Sequence, residues 1–239
     1  MEGVTLIDSP SWNLHPVFCE NMIIRNIKVS SHGPNNDGID PDSCKNVLIE
    51  DCDIDAGDDN ICMKSGRDED AWKNGRPCEN IVIRRCISRG SGGGFTVGSE
   101  MSAGVRNILV EDCRFIGTKR GLSFKSLIGR GGIVENIWCR NISMPTINEQ
   151  AIVINLQYTS TLDRSINYGE KKPEHVPVFR KIRFENVTCE KSKVGIQLSG
   201  IPESFLRELY FKDIRINAES GIIALHVNDI EFDNVKINK

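Results

Sequence analysis

Two short stretches hold the residues best suited to do chemistry. Asn35-Asn36-Asp37-Gly38-Ile39-Asp40 is followed by Gly57-Asp58-Asp59-Asn60. Asp37 and Asp58 lie 21 residues apart, a spacing that suits one short coil of a repeating fold. Carboxylates gathered in a small volume cannot all ionise freely. Repulsion raises one pKa and leaves the others charged, so a proton donor and bases coexist at one pH. Hydrolysis of a glycosidic bond needs such a set, an acid for the leaving oxygen and a base for water. Neighbouring Asp58 and Asp59 point to opposite faces of a regular strand. Both reach one cleft only if the chain bends there, and Gly57 permits a bend. The competing use of acidic residues is a calcium loop, which Asp51-x-Asp53-x-Asp55 resembles at its start. Its sixth position is Ala56 where a glycine is needed, and its twelfth is Cys62 where a glutamate is needed. On a strand, the three aspartates alternate with Cys52 and Ile54 and form an outward polar face.

The elements that must position these acids come from an internal repeat. Glu-Asn-Met-Ile-Ile-Arg-Asn-Ile-Lys-Val (20–29) returns as Lys-Asn-Val-Leu-Ile-Glu-Asp-Cys-Asp-Ile (45–54) and Glu-Asn-Ile-Val-Ile-Arg-Arg-Cys-Ile-Ser (79–88). It returns again at 106–115 and 135–144, with weaker copies near Arg180, Arg207 and Asn228. Anchored on Asn21, Asn46, Asn80, Asn107 and Asn136, the steps are 25, 34, 27 and 29 residues. Each copy alternates apolar and polar residues and is rich in Ile and Val, the pattern of a half-buried strand. Further short strands, such as 94–98 and 121–125, lie between copies and are bounded by turn formers. No long 3.6-residue period appears, so helix is expected to be marginal. The repeat points to an all-β fold, a single-stranded parallel β-helix of about eight coils. Equivalent residues then stack about 4.8 Å apart. An antiparallel sandwich also gives many short strands, but the recurring Asn favours the solenoid, where side-chain amides stack at a turn. With no linker or composition shift, residues 1–239 read as a single domain.

Composition narrows the function classes. The chain of 239 residues is 39% hydrophobic and 26% charged, ordinary for a soluble globular protein. A net charge of −3 without a basic block argues against nucleic acid as a partner. No apolar run of 18 residues exists, so no membrane-spanning helix is expected. No charged segment followed by an apolar one opens the chain, so no secretory leader is read in it. The nine cysteines include no CxxC pair and read as buried, reduced core residues, not as a zinc site.

The motifs together resemble glycoside hydrolase family 28, the polygalacturonases and related pectin hydrolases. The matching phrases are Asn35-Asn36-Asp37-Gly38, Gly57-Asp58-Asp59, Lys64-Ser65-Gly66-Arg67, Gly98-Ser99-Glu100-Met101-Ser102, Arg120-Gly121-Leu122-Ser123-Phe124-Lys125-Ser126 and Ser9-Pro10-Ser11-Trp12. The resemblance implies a right-handed parallel β-helix and an inverting hydrolase of galacturonate-containing pectic chains that uses no cofactor or metal. Carried over by position, Asp58 matches the general acid, and Asp37 and Asp59 match the pair that activates water. Inversion requires acid and base carboxyls about 6.5–9.5 Å apart. Lys125 matches the lysine that binds a galacturonate carboxylate, and Asn35 stands near the same site. Because the chain is slightly acidic and a pectic substrate is polyanionic, local cations must bind it. Lys64, Arg67, Lys125 and Arg120 are the candidates. Tyr158 matches a tyrosine near the sugar site. The stretch 66–79 is expected to form a cleft wall, with Trp72 either stacking on a sugar or packing, and 158–178 another cleft loop.

Two departures from the family pattern stand out. The family's Gly-His-Gly falls at Ser91-Gly92-Gly93, so its histidine is Gly92, and the Arg of its Arg-Ile-Lys falls at Ser123. His32, five residues before Asp37, is a candidate to supply an imidazole from another rung, against the plainer reading of an exposed turn residue. Relatives carry several more coils before the matched region. The chain therefore reads either as an N-terminally truncated piece or as a whole protein whose apolar first coil calls for a cap, a partner or self-association. Relatives are mostly secreted or periplasmic. Two other functions stay open: a carbohydrate-binding or degenerate member without turnover, and a calcium-dependent pectate lyase on the same kind of fold.

Overall fold

A computed structural model describes residues 1–158 and 173–239. The expected loop at 158–178 lies largely outside these residues. The repeats form a right-handed parallel β-helix, whose strands join into one 16-stranded hydrogen-bonded sheet. Every strand-to-strand ladder in it is parallel. The repeated phrase supplies one face, through Glu20–Arg25, Lys45–Glu50, Cys78–Arg84 and the first parts of Val105–Ile116, Ile133–Thr146, Val178–Ser199 and Arg207–Leu225. With Ile230–Asn238, that face has eight rungs among the described residues, as the repeat predicts.

The recurring asparagine explains the register. Asn21, Asn46, Asn80, Asn107 and Asn136 all adopt a left-handed backbone with φ between 55° and 58°. Asparagine tolerates that conformation far better than branched residues do. Their amides then bond along the stack: Asn46 Nδ2 donates to Asn21 Oδ1 at 3.0 Å, Asn80 to Asn46 at 3.1 Å, Asn107 to Asn80 at 3.1 Å and Asn136 to Asn107 at 3.2 Å. Inside, Cys52, Cys86 and Cys113 are buried in one column with Ile142, Val187 and Ile214, and all nine cysteines are free thiols. They pack as small apolar side chains.

The face that matters for chemistry is built from Ile61–Met63, Gly93–Val97, Arg120–Lys125 and Gln150–Asn155. Ile39 continues it by a parallel bridge to Ile61. Ile61, Met63, Phe95, Val97, Leu122 and Phe124 point into the core, where Phe95 and Phe124 meet edge to face at 6.0 Å. Period-2 alternation therefore turns Asp40, Cys62, Thr96 and Ser123 outward as one column. A seven-residue helix, Asp68–Asn74, interrupts the third coil and accounts for its 34-residue step. No helix among the described residues is long and apolar enough to cross a membrane. On the first coils Ile7, Phe18 and Ile23 are exposed.

Candidate active site

The three acids reach one cleft through two turns. Gly38 N–H donates to Asp59 O at 2.8 Å and Ile39 N–H to Asn60 O at 2.9 Å, which sets Asp37 beside Asp59 on the next coil. The coil step is thus 22 residues, one more than the Asp37–Asp58 spacing, and Asp58 stands level with Asn36. The backbone bends at Gly57 and Asp58, so Asp58 and Asp59 both face the cleft. Gly57 is needed for closeness: a Cβ there would lie 2.2 Å from Gly33 O. Asn36 is the clamp behind the site. Its amide donates to Ser9 O and Ser11 O, and Asn13 donates to Asp37 O at 2.9 Å. These bonds bind the Ser9–Trp12 segment to the Asp37 turn and set Trp12 over Lys64, 4.2 Å from ring centroid to Nζ.

The cleft holds a cavity of about 120 Å³ lined by the three aspartates, Asn35, Lys64, Arg67, Lys125 and Tyr158, together with Trp12, Ser99 and Glu100. Asp59 Oδ2 accepts from Lys125 Nζ at 2.6 Å and Asp59 Oδ1 from Gly93 N–H at 2.8 Å. Burial works to raise the Asp59 pKa, but Lys125 and Lys64 overcome it and hold the group down at about 2. Asp37 Oδ2 accepts from Lys64 Nζ at 3.1 Å. Burial there outweighs Lys64, and with repulsion from Asp59 and Asp58 pushes Asp37 up to about 6. Burial and then the Asp59 charge raise Asp58 above the usual carboxylate range. One cluster therefore holds a carboxylate locked in its charged form beside acids that keep their protons to higher pH.

Several sequence expectations are refined here. Lys64 is only 3% exposed and bonds Asp37 and, at 3.2 Å, Glu100 Oε2. It is a counter-ion within the acid cluster. Lys125 lines the cavity and pairs with Asp59, with the Tyr158 ring 5.1 Å away. Arg67 lines the cavity and bonds Asp68 at 3.3 Å. Arg120 occupies the column of Asp37, Asp59 and Gly93, yet its guanidinium lies 3.6 Å from Glu149 and it does not line the cavity.

His32 does not line the cavity: its side chain is 58% exposed and pairs with Asp55 at 3.0 Å, which fits the plainer reading of an exposed turn residue. Trp72 packs: it stacks on His175 at 4.5 Å and donates to Arg130 O at 2.9 Å. The Asp51, Asp53 and Asp55 run is partnered by Arg85, Arg89 and His32 respectively, the outward polar face expected of it.

The two departures have physical content. A Cβ on Gly92 would lie 2.1 Å from Asp58 C and O and 2.3 Å from Asp59 N. Position 92 is built for close approach of backbone to the Asp58–Asp59 peptide, and no side chain fits it. Ser123 is buried in the outward column beside Thr96. Trp12, Ser99 and Glu100 were not expected to line the cleft. Their only sequence signal was membership of the Ser-Pro-Ser-Trp and Gly-Ser-Glu-Met-Ser phrases.

Fold and site together define a class: a right-handed parallel β-helix with clustered carboxylates and lysines in a cleft on one face. Residues 1–228 match the family described as glycosyl hydrolases family 28, and the chain belongs to that family. It is 37% identical over 221 residues to a probable polygalacturonase of Vitis vinifera, covering 91% of this chain and 44% of the relative. It is 31% identical over 230 residues to an endo-polygalacturonase of Pectobacterium parmentieri, covering 95% and 52%. Among solved structures, it is similar to a hyperthermoactive exopolygalacturonase from Thermotoga maritima. The TM-score is 0.91 at 38% identity, over 99% of this chain and 52% of the other. The chain thus spans about half the length of the relatives it matches.

Proposed function

We propose that this chain is a glycoside hydrolase of galacturonate-containing pectic chains, acting by single displacement with general acid and base catalysis. Asp58 is the acid that protonates the leaving oxygen. Asp59 and Asp37 face the attacking water, and Asp59 is the permanently charged member of the pair. Arg67, Lys125 and the Asn35 amide take the acidic sugar, with Trp12 and Tyr158 as flat walls for a ring. The observation that carries this reading is the split among three neighbouring acids, one held charged by Lys125 and Gly93 N–H and another, Asp58, whose pKa burial and then the Asp59 charge raise. An acid and a base at the same pH are what the reaction requires. The family and the printed names of its relatives, which include both endo- and exo-acting polygalacturonases, support the substrate class.

The test is release of reducing ends from polygalacturonate with chelator present. Release that persists in chelator supports the hydrolase. Unsaturated products abolished by chelator would mean a lyase. A folded protein that binds oligogalacturonate and releases nothing would favour binding without turnover.

The pH dependence follows from the same charges. Asp37 takes up a proton as pH falls through about 6, and a protonated Asp37 cannot help activate water. The acid limb of kcat/KM is therefore expected near pH 6, well above that of an ordinary carboxylate, as an apparent value of the coupled cluster. A rate that stays flat down to pH 4 would show that Asp59 alone acts as base.

A further inference from the structure

One acid beside this site has no part in the mechanism so far. Asp40 comes from the same turn as Asp37 and stands outward in the column of Cys62 and Thr96. It does not line the cavity and is 0% exposed. One oxygen of Asp40, one of Asp37 and Cys62 Sγ lie within 4.8 Å of one another. Neither Asp40 oxygen has a hydrogen-bond partner. Two neighbouring groups have donors engaged elsewhere. Cys62 donates to Gly98 O at 3.2 Å, and Lys64 Nζ bonds Asp37 and Glu100.

A buried carboxylate with no donor is among the costliest states a side chain can take. As the neutral acid it loses the charge and gains one proton to donate, and an oxygen of Asp37 lies within 4.8 Å as the acceptor toward which it can point. Lys64, Asp37, Asp59 and Glu100 are the charged groups that face it, and three of the four are acids. Burial first, and then repulsion from those acids, drives the Asp40 carboxyl well above the carboxylate range.

Resting on the hydrolase reading above, we infer that Asp40 is a neutral carboxylic acid that donates its proton toward Asp37 and, with Lys64, holds Asp37 as a carboxylate aimed at the attacking water. Asp40 is thus a positioning residue acting through Asp37. The three donors do not argue for a metal ion, because the Lys64 ammonium already lies against Asp37.

The first test needs no turnover. Infrared difference spectra are taken above pH 7 for Asp58→Asn and for the double variant Asp58→Asn/Asp40→Asn, which removes the proposed general acid from the comparison. The C=O band of a protonated carboxylic acid is expected in the single variant and lost in the double one. A protonated-acid C=O band that is the same in both variants would mean that Asp40 is ionised and would overturn the inference, even if the hydrolase reading stands. The second test is the pH profile. Asp40→Leu removes the donor, so kcat/KM is expected to fall about tenfold on the acid side as the limb moves up. Asp40→Asn restores an N–H donor and is expected to recover part of that loss. An acid limb that moves down in Asp40→Asn, as when a repelling charge is removed, would also overturn it. If the wild-type chain proves inactive on pectic substrates, the infrared comparison still decides the state of Asp40.

Discussion

Replacing Asp58 by asparagine is expected to lower kcat on polygalacturonate by about 10²–10⁴-fold, the usual worth of a positioned general acid. The amide keeps the size and polarity of the side chain but has no proton to give an alkoxide. No ion pair among the described residues is formed by Asp58, so the substitution breaks no such contact. Folding and oligosaccharide affinity should therefore survive, and KM should move far less than kcat. Binding measured by calorimetry beside turnover would separate this outcome from a collapsed site. A loss below tenfold would assign the acid role elsewhere.

The second large effect is expected at Lys125, through stability as well as rate. Its side chain is 12% exposed and that of Asp59 is 4% exposed, and the two meet at 2.6 Å. In Lys125→Met, the methylenes remain and the charge goes. Asp59 is then a buried carboxylate held only by Gly93 N–H and the more distant Lys64. Breaking one side of a buried pair costs about 3–5 kcal/mol. The pH dependence carries a sign. In the native protein the Asp59 pKa is depressed to about 2 from 3.8. Its contribution is present above the unfolded value and lost as pH falls through about 2. The stability gap between native and Lys125→Met is thus widest near neutral pH and narrows below about pH 4. Urea denaturation at several pH values measures it. Turnover should fall as well, because an unpaired Asp59 takes up a proton and is no longer a base. A gap that does not change with pH would mean that Lys125 contributes packing alone.

The parts of the molecule that depend on local pattern were legible in the chain. Five asparagines at coil spacing, each followed by alternating apolar residues, specify both the left-handed turn and the amide ladder. The clustering of Asp37, Asp58 and Asp59 was readable because a short coil brings residues some 22 apart into contact, and because a glycine precedes the acidic pair. What escaped depends on contacts far apart in sequence. Trp72 reaches Arg130, 58 residues on, and His175, and so packs, a choice its position in the chain left open. The charge of Lys64, which lines the cavity, was visible in the sequence and its burial was not. The Glu100 partner that helps to fix it lies 36 residues away. The place of His32 was left open for a geometric reason: spacing to Asp37 does not say where the ring points, and it pairs with Asp55. At Gly92 the missing histidine looked like a loss. The close approach to the Asp58–Asp59 peptide shows the glycine to be a packing requirement.

The central claim is that Asp58 and the Asp37–Asp59 pair act on opposite sides of a scissile glycosidic bond, with water as the nucleophile. Proton NMR of the first products from an oligogalacturonate, recorded with chelator present and before mutarotation, tests it most directly. The anomer opposite in configuration to the cleaved linkage should appear first and then equilibrate. First appearance of the original anomer, or of unsaturated ends, would contradict the account.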